Sequence, residues 1–180
     1  MNIKQISNGV TLCTHKTEQF KTSVVSLNII TPLGENTSAK ALLCYLLART
    51  NKAYPSVIGM NRKLASLYGA SLSPSVMKIG EAQVLSLCLA SIDDRFSLKG
   101  EKILCEGIEL LLSCLFTPDI TPDGFKEENV RREKRLLIEK IESEKDDKRL
   151  YALNRMIEEM CKSETYGLPK YGTQEEIEAV

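Results

Sequence analysis

The sequence predicts an α+β domain: a mixed, mostly antiparallel sheet with helices packed on one of its faces. Three observations lead there. Residues 22–31 and 82–92 alternate apolar and polar side chains with the period of a strand, so each presents one apolar face. Residues 37–50 are nearly all good helix formers, and from 41 to 48 they are apolar all round; a helix without a polar face is buried on every side. Further segments carry apolar residues at helical spacing, and an amphipathic sheet is covered by such helices.

Taken in order, residues 3–16 read as a hairpin turning at Asn8-Gly9, a dipeptide that tolerates positive φ. In the strand 22–31, Val25, Leu27 and Ile29 face one way and Ser26 and Asn28 the other, flanked by Val24 and Ile30. Pro32 and Gly34 end it. The central helix follows, with Thr37 or Ser38 as the expected cap and Leu43 and Leu46 expected to be fully buried. Having no carboxylate or imidazole, it can pack but cannot do acid–base or metal chemistry. Residues 56–68 form a second helix on Val57, Met60, Leu64 and Leu67, closed by Gly69. Strands 70–79 and 82–92 make a hairpin around Gly80-Glu81. In the second of these Leu85, Leu87 and Leu89 share a face. Residues 101–116 are a third helix with the stripe Ile103, Leu104, Ile108, Leu111, Leu112 and Leu115. Thr121-Pro122-Asp123 is expected to start a fourth, running to about Lys145, because proline suits a first helical position. Its interleaved charges read as a solvated face laced with i,i+4 pairs, with Phe125, Val130, Leu137 and Ile141 as a narrow buried edge. Residues 149–162 form a fifth helix, with Leu150, Leu153, Met156, Ile157 and Met160 on one side. After a turn-rich loop, Thr173-Gln174-Glu175-Glu176 reads as a capping box opening a last helix. That helix reaches Val180 without a cap, so the 180 residues are expected to be a single domain truncated before its last elements.

Composition excludes several functions. A chain of 180 residues buries a sizeable core. Lys plus Arg and Asp plus Glu balance at 24 each, so no global field attracts nucleic acid or acidic lipid. Aromatic residues are only 6% and Trp is absent, which leaves little surface for base stacking. No run has the length of a membrane span and no apolar signal region opens the chain; a cytoplasmic protein with no membrane or nucleic-acid partner is expected. Six cysteines, Cys13, Cys44, Cys88, Cys105, Cys114 and Cys161, include no C-x-x-C pair. They are expected to be reduced, structural thiols rather than three disulfides. One histidine, His15, cannot build a zinc site of two or three imidazoles, and beside Lys16 it reads as a surface residue rather than half of a thiol-protease pair.

Four stretches, in their order, resemble the N-terminal domain of the insulinase, pitrilysin and mitochondrial processing peptidase family. They are Asn8-Gly9-Val10, Thr31-Pro32-Leu33-Gly34-Glu35, Leu67-Tyr68-Gly69-Ala70-Ser71-Leu72, and the loop from Tyr166-Gly167 to Gly172-Thr173-Gln174-Glu175. The resemblance implies a processing-peptidase-like metallohydrolase fold. Active members write His-x-x-Glu-His on the central helix, because residues one turn apart can share one zinc while the glutamate serves as base. Here Ala41 and Tyr45 stand at the ligand positions and Cys44 at the base. Lys140 aligns with the distant glutamate, and Glu139 lies one residue away. The resemblance thus implies a member without its zinc motif: no catalytic residue, no metal and no cofactor, a zinc-binding homologous subunit as partner, and an extended peptide as a ligand of the pair. The alternatives are a structural assembly subunit and a thiol-dependent hydrolase using Cys44, whose apolar surroundings would raise its pKa and suppress reactivity.

Overall fold

The computed structural model describes residues 1–180. Its first element is an antiparallel hairpin of β1 (Asn2–Ser7) and β2 (Val10–Thr14), exposed along its whole length. The main sheet has three strands, β3 (Thr22–Pro32), β4 (Ser71–Ile79) and β5 (Ala82–Ile92), in the order β3-β5-β4. All its pairs are antiparallel, so the sheet is not mixed. β3 matches β5 one-to-one from Thr22↔Ile92 to Pro32↔Ala82. That register lines up Val25, Leu27 and Ile29 with Leu89, Leu87 and Leu85, and β4 adds Leu72 and Val76 to the same face. This face meets the helices in one continuous core.

Helix α1 (Thr37–Leu47) lies between the sheet and α4 (Glu127–Asp146). Ala41, Leu42, Cys44, Leu46 and Leu47 are buried, as a helix apolar all round requires. Leu43 departs from the expectation. It remains 37% exposed, at the sector of α1 that neither the sheet nor α4 reaches. The expected hydroxyl cap is also absent. Asn36, left-handed at φ 54°, is the N-cap and its side chain makes no cap bond. Thr37 instead turns its hydroxyl back to the Gly34 carbonyl at 2.7 Å, and the Gly34 amide donates to it at 3.1 Å.

Helix α2 (Val57–Ser66) is capped by Ser56, whose hydroxyl accepts from the Gly59 amide, and Gly69 (φ 75°) ends its last turn. Helix α3 (Ile103–Phe116) starts two residues later than expected, and its buried line is Ile103, Gly107, Leu110, Leu111 and Cys114, leaving Leu112 at 40% exposure. The rotation follows from Gly107: a Cβ there would come within 2.8 Å of Leu89, so the glycine lets the helix backbone settle onto the sheet. Pro122 does not open a helix. It sits in the turn of a two-residue hairpin, β6 (Ile120–Thr121) with β7 (Gly124–Phe125), and α4 begins only at Glu127. Pro at the second position of a turn is as well pre-set as at a helix start, and Gly124 at φ 113° decides for the turn.

Glu133 is the residue on α4 that the charge pattern concealed. It is 2% exposed, and its Oε1 accepts from Arg49 Nε at 2.6 Å, just beyond the end of α1. Helix α5 (Lys148–Met160) buries no residue, and Leu153, Met156 and Met160 are exposed. After a short 3-10 turn at Thr165–Gly167, α6 (Gln174–Ala179) carries the expected capping box, with Thr173 and Glu176 satisfying each other's amides.

Two stability outcomes follow. Leu46→Ala should cost about 2–5 kcal/mol, the range for a buried leucine, and Leu43→Ala under about 1 kcal/mol, both read by urea unfolding. Arg49→Ala leaves a buried carboxylate unpaired and should cost about 3 kcal/mol, whereas removing both charges with Arg49→Leu and Glu133→Leu together should cost clearly less. Equal losses in the single and double variants would mean that the pair does not hold α4 to α1.

Candidate functional site

Of the residues singled out on α1, Tyr45 faces the middle of α4, while Cys44 faces the sheet. Ala41 is fully buried and brings no polar group. Cys44, one turn on, points at the sheet; its thiol donates to the carbonyls of Ser75 and Ser86, both at 3.6 Å. Burial pushes this thiol up to about 11, against weaker opposing effects of those carbonyl contacts and of the Lys140 charge. Tyr45 points at α4, where Lys140 donates from Nζ to the tyrosine hydroxyl at 2.8 Å. The same ammonium lies 5.1 Å from the centre of the Tyr45 ring and 5.7 Å from that of Tyr171. Cation and ring face attract, more strongly where water is kept out. Glu139 turns away and pairs with Arg135 on the surface. His15 is exposed just after β2.

Tyr171 completes the cluster from the loop. It is 5% exposed, and burial, with the neighbouring Tyr45 hydroxyl and Glu144, raises its phenol well above the ordinary tyrosine range. Lys170 lies over its ring at 4.7 Å and pairs with Glu144 at 2.8 Å. Gln83 on β5 clasps the loop from below: its amide nitrogen donates to the carbonyls of Thr37 and Lys170. Gly172, at φ 74°, allows the loop to pass the start of α1, because a Cβ there would land on the Ser38 hydroxyl. Beside the cluster opens a cavity of about 350 Å³ lined by Lys78, Glu144, Arg155, Lys170, Tyr171 and Glu175 among others. Its charges are largely engaged: Arg155 with Glu158 at 2.6 Å, and Lys78 with the carbonyls of Tyr166 and Leu168.

This arrangement engages its charges with one another and with aromatic rings; it does not ready a nucleophile. The one thiol on α1 is kept protonated, and the central cation is stacked between rings. No three His, Cys, Asp or Glu side chains are grouped where they could hold a metal ion.

Comparison with known proteins bears on this arrangement. No family model matches the chain. It is 32% identical over 179 residues to the "probable inactive metalloprotease YmfF" of Bacillus subtilis (strain 168), an alignment that covers 99% of this chain and 42% of that protein. Its structure is similar to the crystal structure of a conserved protein from Enterococcus faecalis V583, with a TM-score of 0.79 and 28% identity, over 91% of this chain and 39% of the other. The chain therefore spans less than half the length of either relative. These findings correct the assignment drawn from sequence motifs. The similarity found is to a protein described as a probable inactive metalloprotease, and membership of the insulinase, pitrilysin and processing peptidase family is not upheld. The four motifs misled because turn and junction glycines recur wherever a strand meets a helix.

Sequence reasoning placed Ala41, Cys44 and Tyr45 on one helix and singled out Lys140, and the structure brings Tyr45 and Lys140 into contact. It missed Tyr171, Gln83 and Glu144. A signal existed for α4: Glu133, Leu137, Lys140 and Glu144 recur at helical spacing, so those charges fall on the apolar edge and not on the solvated face. Tyr171 gave no such signal, because loop residues have no periodicity.

Thiol labelling reads the state of Cys44. With its pKa near 11 against an ordinary 9, its thiolate fraction at neutral pH should fall about 100-fold. In the native protein Cys13 and Cys105, both exposed, should react promptly with an aromatic disulfide, and Cys44 only after denaturant is added. Rapid native labelling of Cys44 would show that α1 does not stay packed on the sheet.

Proposed function

We propose that this chain is a non-catalytic relative of metalloproteases that acts beside a separate, zinc-binding subunit and supplies wall and peptide-contacting surface to the chamber in which that subunit cuts. The observation that carries the reading is the 2.8 Å bond from Lys140 to Tyr45, with Tyr171 stacked behind it. An ammonium fixed there repels any divalent cation brought to the crevice between α1 and α4. Supporting it are the relative's description as a probable inactive metalloprotease and the suppression of Cys44, which weighs against a thiol-dependent hydrolase. A peptide needs no catalytic side chain to be held, since main-chain pairing with an extended segment suffices.

The test is reconstitution. The chain, dialysed against chelator and reloaded with zinc, should retain no stoichiometric metal by elemental analysis. Captured with its bound proteins from the cell that makes it, it should bring down a zinc-binding metalloprotease. Peptide cleavage should appear only in the mixture and vanish on chelation. Cleavage by the isolated chain, or one zinc per chain lost on mutating Cys44, would end this reading.

A further inference from the structure

The cavity beside Tyr171 is walled by four parts of this chain: the end of β4, the last turns of α4, α5, and the loop that leads into α6. At about 350 Å³ it has the size of a small-ligand pocket. Its charges are unevenly spent. Among its carboxylates, Glu144 is paired with Lys170 at 2.8 Å and Glu158 with Arg155 at 2.6 Å. Glu175 is turned back on its own helix, where its own amide and the Thr173 hydroxyl hold it below the ordinary carboxylate range. Lys78 and Lys145 line the same cavity, and neither forms an ion pair.

Lys78 is the cation that the fold holds in place. It stands half-buried near the end of β4, and its Nζ donates to the carbonyls of Tyr166 at 2.6 Å and Leu168 at 2.9 Å. The same ammonium lies 4.5 Å from the centre of the Tyr166 ring. Two of its three N–H groups are thus spent on neutral acceptors, and the third remains. Burial lowers its pKa, and the charge of Glu158 opposes this only in part. A half-buried ammonium without a counter-ion gains most from an anion that arrives on a ligand.

The rest of the wall says what carries that anion. Asn154 and Gln174 present side-chain amides, which both donate and accept, as a peptide group does. Gln174 spends one N–H on Glu178 and keeps its oxygen. Ile141, Tyr151 and Pro169 add apolar surface. An inorganic anion uses only the cations; a short stretch of peptide with an acidic side chain uses the whole wall. We infer that this cavity binds a peptide segment by an aspartate or glutamate side chain, with Lys78 receiving the carboxylate, Lys145 adding its charge, and the amides of Asn154 and Gln174 taking the neighbouring main chain. The inference rests on the reading of this chain as a peptide-contacting subunit and narrows it to acidic segments. The two fail separately, because binding here is measured on the chain by itself. A chain that holds acidic peptides but captures no metalloprotease keeps this inference and loses the other.

The experiment titrates the 180-residue chain with the tripeptide alanyl-glutamyl-alanine, acetylated and amidated so that the side chain carries its only charge, and follows backbone amide NMR signals. The same tripeptide with glutamine in place of glutamate is the neutral twin, and inorganic phosphate is a third probe. The glutamyl peptide should shift signals of residues lining the cavity and bind about tenfold or more tighter than its twin. Lys78→Gln keeps a donor for the two carbonyls and removes the charge; it should erase that preference and leave binding of the twin unchanged. Lys78→Arg should retain the preference. If Lys78→Gln loses its far-UV circular dichroism, Lys145→Gln, at an exposed position, should narrow the preference about threefold, and no change there overturns the inference. It is also overturned by equal affinity for the two peptides, by the absence of binding, or by shifts confined to residues outside the cavity. A Lys78→Gln variant that weakens both peptides alike overturns it too, since Lys78 then only holds the loop. So does phosphate that binds as tightly as the glutamyl peptide.

Discussion

Helix α1 has no polar face, and a helix of that kind must have both its ends satisfied by residues brought from elsewhere in the chain. At its start Thr37 and Ser38 are buried, and their needs are met by Gly34, by the Gln83 amide from β5 and by the Glu176 carboxylate from α6. Past its end Arg49 reaches Glu133 on α4, while Asn51, fully buried, donates to Ser113 on α3 and accepts from the Tyr54 amide. Each anchor belongs to a different element. The sheet, α3, α4 and α6 therefore hold their places around α1 through a few polar contacts at its two ends, and through apolar contact along its length.

The parts of this arrangement that repeat were legible in the sequence. Strand alternation put Val25, Leu27 and Ile29 on the face shared with Leu85, Leu87 and Leu89, and the capping box at Thr173 announced α6. The parts that depend on one partner were not. Nothing local marks Gly107 as the point where α3 touches Leu89, or Glu133 as the counter-ion of a residue 84 positions earlier. Leu43 failed differently: its neighbours on α1 are as apolar as it is, and only the position of α4 leaves it facing out. Pro122 was ambiguous by nature, being suited equally to a helix start and to a turn.

The crevice between α1 and α4 shows how a potential site becomes structural. The ammonium of Lys140 would be costly to bury alone, so it is held by a phenolic oxygen and two ring faces. Those rings raise no reactive group: burial drives both Cys44 and Tyr171 toward their neutral forms. Charge in this region is used to fasten the loop at residues 168–173 against α4, as the Lys170–Glu144 pair does beside it. Only part of the candidate site was visible beforehand, because its loop half comes from residues whose role is set by contact alone.

The hydrogen bond from Ser38 to Glu176 spans 138 positions of sequence. Its consequence concerns the order of synthesis. The first turn of α1 is made early, yet the carboxylate that accepts from its buried Ser38 hydroxyl emerges among the last residues described here. On the ribosome α1 must wait with an apolar surface and an unfinished start while most of the domain is still being made. A nascent chain with apolar surface still uncovered is the species most exposed to misassociation, and for this helix that interval lasts until residue 176 arrives.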